Sequence, residues 1–294
     1  MAAIAAVRAG LAIVQRRQDA EHVRVKGPRD LVTGTDLAAQ AAIERVLREH
    51  DPEIAFVGEE DDEDDEDDEG EEGADRDWSG EGAKGDEGEK RASGEWALPR
   101  QGRYWLVDPL CGTNNFAAEV PFFAINVALV DNGRVMLGVV ADGSTGEIHV
   151  AERGQGAFLL NGGNRSPLRV NPRASLVSVD PMLPGPGWLR RFDGEVAIRV
   201  IAEARHSVLI LGSTLALVYL ARGRLAAAVY ACTGLPVHFA AGLLIAEEAG
   251  AIVTDENGNP WQLLGPIYIA SANSQVHEEL RGIAQSTVHA LTTG

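Results

Sequence analysis

The stretch Trp105-Leu-Val-Asp108-Pro-Leu-Cys111-Gly-Thr113-Asn-Asn-Phe116 decides how the chain is read. Its apolar start predicts a short buried strand over 104–107 that ends in an acid, Asp108. Pro109 then turns the chain, because proline fixes φ and donates no backbone hydrogen bond. The Gly112-Thr113 pair follows, and its backbone N–H groups are free to meet a ligand. A carboxylate at a strand end beside such a loop suits a cation and an oxyanion held side by side. The stretch therefore points to a small-molecule site at the edge of a sheet.

Downstream, residues 122–130, 135–140 and 147–151 read as successive strands, with turn residues at Asp131-Asn132-Gly133 and Asp142-Gly143. Gly154-Gln-Gly156 reads as a hairpin requirement. Upstream, residues 1–22 and 36–50 read as helices. Ile4, Val7, Leu11 and Val14 recur at helical spacing, and Thr35 and Asp36 are good caps for the second helix. Residues 54–57 form a short buried strand that ends in Gly58-Glu59-Glu60. Beyond Ser166-Pro167 the elements alternate: a helix at 213–221, a strand at 225–230, a helix at 239–249, strands at 251–254 and 267–270, and a helix at 274–290. The expected class is α/β, with an α+β N-terminal half over 1–165 and an α/β C-terminal half over 166–294.

Charge is concentrated in one place. Of the 44 acidic residues, 19 fall in residues 59–90 against three basic ones, a local net of −16 within the chain's −18. The segment at about 61–100 is too polar to fold and reads as a solvated acidic insertion, with docking of a basic protein partner as the sharper alternative. Neither part carries the basic stripe that nucleic acid needs. No apolar run approaches the roughly 20 residues that span a bilayer, and Arg8 splits the apolar N-terminus that would otherwise suggest a signal peptide. Two cysteines, Cys111 and Cys232, are too few for a disulfide scaffold, which favours a cytoplasmic location.

The central stretch resembles the inositol monophosphatase superfamily signature, Trp-x-x-Asp-Pro-x-Asp-Gly-Thr-x-Asn-Phe, at every position but one. Cys111 stands where the family has its second Asp. Lys26 to Asp36 resembles the family's early Asp-Leu-Val-Thr block, and Phe56 to Glu60 its Gly-Glu-Glu motif. Pro236 to Gly250 resembles its late Trp-Asp-x-Ala-Ala-Gly block, with His238 at the Asp position. Leu211-Gly-Ser-Thr-Leu-Ala216 is a smaller match. The resemblance covers the chain outside 61–103 and implies a five-layer αβαβα sandwich, a homodimer, and a site between the two halves.

The same resemblance implies a ligand set. Glu59, Asp108 and the Leu110 carbonyl match the first Mg²⁺ site and are all present. Asp108, Cys111 and His238 match the second, where two of three carboxylates are replaced. Mg²⁺ demands oxygen donors, so the expectation is one weak Mg²⁺ site and no two-metal centre. Asp36 and Thr113 match the pair that positions water in relatives. Gly112 and Thr113 retain the oxyanion N–H groups, with Asn114 or Asn115 orienting the substrate. Ala231 replaces a Glu that contacts inositol in relatives.

Cys111 and His238 have two readings. In one, His238 acts as acid or base and Cys111 as nucleophile or soft-metal ligand. A zinc set of Asp108, Cys111 and His238 is conceivable, although their spacing alone is no metal signature. In the other, both are drift in a protein that no longer needs its second metal. Cys232 reads as a small core residue, His206 as packed, and His22, His50, His277 and His289 as solvated.

The leading expectation is a repurposed enzyme of bacterial specialised metabolism. It would expel phosphate or sulfate from a small-molecule ester by elimination or by intramolecular ring closure. Such chemistry leans on positioning and leaving-group stabilisation more than on activated water. Here Asp36 or His238 takes the proton. The alternatives are a weakened Mg²⁺-dependent phosphomonoesterase and a non-catalytic binding subunit.

Overall fold

The computed structural model describes residues 1–16, 23–27, 30–60, 98–99, 101–180, 187–203, 206–232 and 236–293. Nearly all of the acidic insertion, the expected end of the first helix at 17–22, and His22 lie outside them. The first half contains α1 (Ala2–Val14), β1 (Val23–Gly27), β2 (Asp30–Thr33), α2 (Gly34–His50), β3 (Ala55–Gly58), β4 (Arg103–Cys111), α3 (Thr113–Ala117), β5 (Ala124–Asp131), β6 (Arg134–Asp142), β7 (Ile148–Glu152), β8 (Gly156–Asn161) and β9 (Asn164–Pro167). The rest contains β10 (Leu176–Val179), α4 (Gly187–Glu203), β11 (Ser207–Leu209), α5 (Leu215–Ala221), β12 (Ala227–Ala231), α6 (Pro236–Glu248), β13 (Ile252–Thr254), β14 (Ile267–Ser271) and α7 (Ser274–Thr293).

Strands β3 to β9 form a seven-stranded sheet in chain order, antiparallel except for the parallel β3/β4 edge. A five-stranded sheet runs β11-β10-β12-β14-β13. Helices α1 and α2 cover the outer face of the first sheet, α5 and α6 fill the space between the sheets, and α4 and α7 cover the outer face of the second. These are the five layers αβαβα, and four apolar clusters occupy the interfaces between them.

Helix α6 explains the middle layer. Its residues from Pro236 to Ala246 are buried on every side. A helix that is apolar all round has no solvent face, so it is stable only when covered on both sides. Gly138 on β6 lets it approach, since a Cβ there would stand 2.6 Å from the Ala241 carbonyl oxygen. Pro236 occupies the first turn, where a missing N–H costs nothing.

Several expectations are corrected. Helix α1 ends at Val14, and Thr33 rather than Thr35 or Asp36 caps α2. Asp36 sits in the first turn and accepts the Thr33 N–H at 2.9 Å, as the third residue of a capping box does. Helix α5 starts at Leu215, and α6 starts three residues before the expected 239. The hairpin β1/β2, strands β8 to β11 and helix α4 carry no clear periodic signal in the sequence. His277, expected in solvent, is buried between Thr254 Oγ1 at 2.9 Å and Ser271 Oγ at 3.3 Å.

Candidate active site

The site grows from the parity of β4. Tyr104 and Leu106 face the middle layer, whereas Trp105 and Val107 face α1 and α2. Alternation therefore turns Asp108 inward, toward α6. Cys111, three residues on, would point outward if the strand were regular. A bulge between Asp108 and Cys111 in the pairing with β5 shifts the register, and Cys111 joins the inner cluster beside Leu106. One irregularity thus puts both side chains on one face.

Glu59 arrives by a parallel ladder. Gly58 pairs with Val107, and the Glu59 N–H donates to the Val107 carbonyl at 3.0 Å, so the acid lies beside Asp108 and belongs to the cleft. His238 projects from the first turn of α6. Its Nδ1 is 2.6 Å from Asp108 Oδ2, and its Nε2 is 3.6 Å from Glu59 Oε1. Asp108 is fully buried and accepts two more hydrogen bonds, from the Leu110 N–H and from Asn126 Nδ2, both at 3.1 Å. Asn126 Nδ2 also reaches Thr214 Oγ1 at 3.2 Å. Thr214 in turn addresses Cys111 Sγ through its hydroxyl at 3.1 Å and its N–H at 3.4 Å. One ligand atom each from Asp108, Cys111 and His238 lies within 4.8 Å of the other two, so the three could hold a metal ion.

The second part of the site is the loop at the start of α3. Thr113 Oγ1 is 3.1 Å from Asp36 Oδ1 and 3.0 Å from the Leu110 carbonyl oxygen, and its single proton serves one of them at a time. Asp36 Oδ2 takes both the Thr33 N–H and the Thr33 hydroxyl. Gly112 adopts φ 93°, and a Cβ there would stand 2.8 Å from the Phe122 carbonyl oxygen. Only glycine fits without strain.

Burial sets the electrostatics. It pushes the Asp36 carboxyl up to about 6, although hydrogen bonds from Thr33 and Thr113 work the other way. It also pushes the Cys111 thiol up, with Asp108 adding to the effect. Burial opposes a charged His238, but the carboxylates of Glu59 and Asp108 overcome it and hold the imidazole well above its usual range.

Asn115 does something other than expected. Its Nδ2 contacts the carbonyl oxygens of Phe122 at 2.8 Å, Leu211 at 2.8 Å and Gly212 at 3.2 Å, so its donor is committed to backbone. It stitches the α3 loop to the segment before α5. Asn114 is exposed at the same loop. Cys232 is buried in the apolar cluster between the middle layer and the second sheet, as expected.

Four groups go unsignalled in the sequence. Asn126 and Thr214 sit within apolar runs and show their role only through the pairing of β4 with β5 and the approach of α5. Asp193, on α4, is buried and accepts the Ala231 N–H at 3.0 Å. Asp180 receives Gly212 N–H at 2.8 Å and a Ser178 hydroxyl.

A family model described as "Inositol monophosphatase family" matches residues 1–289. An inositol-1-monophosphatase of Rhizobium meliloti (strain 1021) is 32% identical over 269 residues, which cover 90% of this chain and 87% of that one. The Nus factor SuhB of Vibrio cholerae is 30% identical over 289 residues, covering 96% and 94%. Among solved structures, the Thermotoga maritima IMPase superposes with a TM-score of 0.73 at 28% identity, covering 97% of this chain and 96% of that one. Among the described residues, no helix is long and apolar enough to cross a membrane.

Proposed function

The chain belongs to the inositol monophosphatase family, and on that premise we propose that it hydrolyses a phosphate monoester of a small hydroxylated molecule. The observation that carries this reading is the contact of Thr113 with Asp36 and with the Leu110 carbonyl, beside Glu59 and Asp108. Expulsion of the ester group by elimination or ring closure, the first expectation from the sequence, has no support among the relatives. Two of the three named above are phosphatases, and hydrolysis takes its place.

The donors present decide which metal chemistry fits. Glu59, Asp108 and the Leu110 carbonyl are hard oxygen ligands, and the three would hold one Mg²⁺. When bound, that ion supplies Lewis-acid polarisation of a phosphoryl oxygen. Cys111 and His238 do not fit a second Mg²⁺, because sulfur and imidazole are poor donors to a hard cation.

The chain's own groups do the remaining work. Thr113 orients a water by its hydroxyl and relays the proton lost on attack to Asp36 Oδ1. The water oxygen forms a bond to phosphorus, the ester oxygen leaves with the bonding pair, and solvent reprotonates it. The Gly112 and Thr113 N–H groups face the phosphoryl oxygens. A homodimer and a cytoplasmic location belong to the same proposal, resting on the family resemblance and on cysteine usage.

The test is phosphate release from a panel of inositol, hexose and nucleoside monophosphates across a Mg²⁺ titration, with sulfate esters alongside. The expected result is saturable, Mg²⁺-dependent phosphate release that Asp36→Asn removes. Turnover of sulfate esters alone would return the expulsion chemistry to first place. Tight binding without turnover of any ester would favour a binding subunit.

A further inference from the structure

We propose that Asp108, Cys111 and His238 form a site for one borderline-soft divalent cation of the Zn²⁺ class, where relatives would place a second Mg²⁺. Three observations carry this. The first is composition. Both positions that depart from carboxylate carry donors that zinc prefers, a thiol and an imidazole, and neither carries an inert side chain.

The second is geometry. Ligand atoms of the three buried residues all lie within 4.8 Å of one another. Neighbouring ligands on a tetrahedral zinc stand about 3.5 Å apart, given bonds of about 2.0 to 2.3 Å. A small side-chain adjustment therefore closes the set. Three protein ligands leave the fourth position open, as catalytic zinc sites do.

The third is the shell behind the ligands. Cys111 Sγ faces the Thr214 hydroxyl at 3.1 Å and the Thr214 N–H at 3.4 Å, both donors aimed at sulfur. Asn126 Nδ2 ties Asp108 Oδ2 at 3.1 Å to Thr214 Oγ1 at 3.2 Å, which links carboxylate and sulfur in one network. Fixed outer partners of this kind orient metal ligands. Coordination would release the thiol proton to solvent and turn the His238 nitrogen from Asp108 to the metal.

The inference deepens the proposed function by adding a second, softer ion beside the Mg²⁺ that Glu59, Asp108 and the Leu110 carbonyl would hold, and its test reads metal binding without turnover. Failure here leaves the hydrolase reading standing. The full-length protein is stripped with a chelator and titrated with Co²⁺, a spectroscopic stand-in for Zn²⁺. With Mg²⁺ in hundredfold excess to fill the oxygen-donor sites, the expected result is a near-ultraviolet sulfur-to-cobalt band that saturates at one Co²⁺ per chain and is displaced by equimolar Zn²⁺. Cys111→Ser should remove the band while leaving the melting temperature close to the parent's. Asn126→Leu should weaken binding by about 10- to 100-fold. A folded parent with no such band overturns the proposal, as does a band that survives Cys111→Ser and so comes from Cys232. Binding through the acidic tract gives oxygen ligation alone, hence no band, and counts against it too.

Discussion

His238 Nδ1 lies 2.6 Å from Asp108 Oδ2, and the other nitrogen of the same ring faces Glu59 Oε1 at 3.6 Å. An imidazole therefore bridges two carboxylates that would otherwise repel one another in a buried cleft. The family resemblance implies a third carboxylate at position 238, and three acids packed this closely need cations to coexist. Here the ring, held well above its usual range by Glu59 and Asp108, supplies part of that positive charge from within the chain.

A double substitution tests what this internal neutralisation costs in rate. Cys111→Asp with His238→Asp restores oxygen donors at both altered positions. Stabilisation by a second ion is worth several kcal/mol, so Mg²⁺-dependent phosphate release should rise at least about 100-fold over the parent. Mg²⁺ should also raise the variant's melting temperature more than the parent's, since an ion bound only by the folded state stabilises it. A folded variant that stays at the parent's rate would show that the second position contributes nothing to turnover.

The Asp36 carboxyl titrates at about 6, and only its ionised form accepts a proton. The value of kcat/KM should therefore fall as pH drops through about 6, with a slope of one. Asp36→Asn should lower kcat by about 10² to 10⁴ and abolish that limb. Thr113→Ser keeps the hydroxyl and should retain most activity, whereas Thr113→Ala should not. An acid limb that persists unchanged in Asp36→Asn would assign it to another group.

Much of this was legible in the residues. Asp108 and the Gly112-Thr113 loop stand out because strand, proline and glycine fall in one short run. Glu59 could be placed because an apolar strand precedes it, despite the acidic tract that follows. What stayed hidden is what depends on pairing. Cys111 faces the cleft only because of a bulge, and no local pattern announces one. Helix α4 mixes exposed Ile198 and Ile201 with buried Phe192 and Val196, which blurs the amphipathic period. Asp193 is hidden with that helix. Asn114 or Asn115 reads as a substrate ligand from its place in the signature, and only the fold shows the three carbonyls around Asn115 Nδ2.

Asn114 and Asn115 should separate in measurement. Asn115→Ala strands buried carbonyls and should cost about 1 to 3 kcal/mol of stability. Asn114 is exposed, so Asn114→Ala should leave the melting temperature nearly unchanged, and any effect should fall on KM. Equal stability losses in the two variants would contradict the assignment. Thermal melts with substrate kinetics on the same preparations read both.

Asp193 predicts an unusual pH dependence of stability. Burial pushes its carboxyl up to about 8, the Ala231 N–H opposes that, and Asp180 adds to it. An unfolded Asp titrates near 3.9, so between about pH 4 and 8 the folded chain keeps a proton that the unfolded chain has lost. The native state then binds more protons, and stability falls as pH rises through that window. Asp36 contributes the same sign only up to about 6. From pH 6 to 8 the decline due to Asp193 should be about 2 kcal/mol. Asp193→Asn keeps an oxygen for the Ala231 N–H and removes the proton, so denaturant midpoints of the variant should lose that part of the slope. The variant should overtake the parent at pH 8. Parallel curves for parent and variant over pH 6 to 8 would mean that Asp193 is ionised in the folded protein, with its charge balanced by a neighbour.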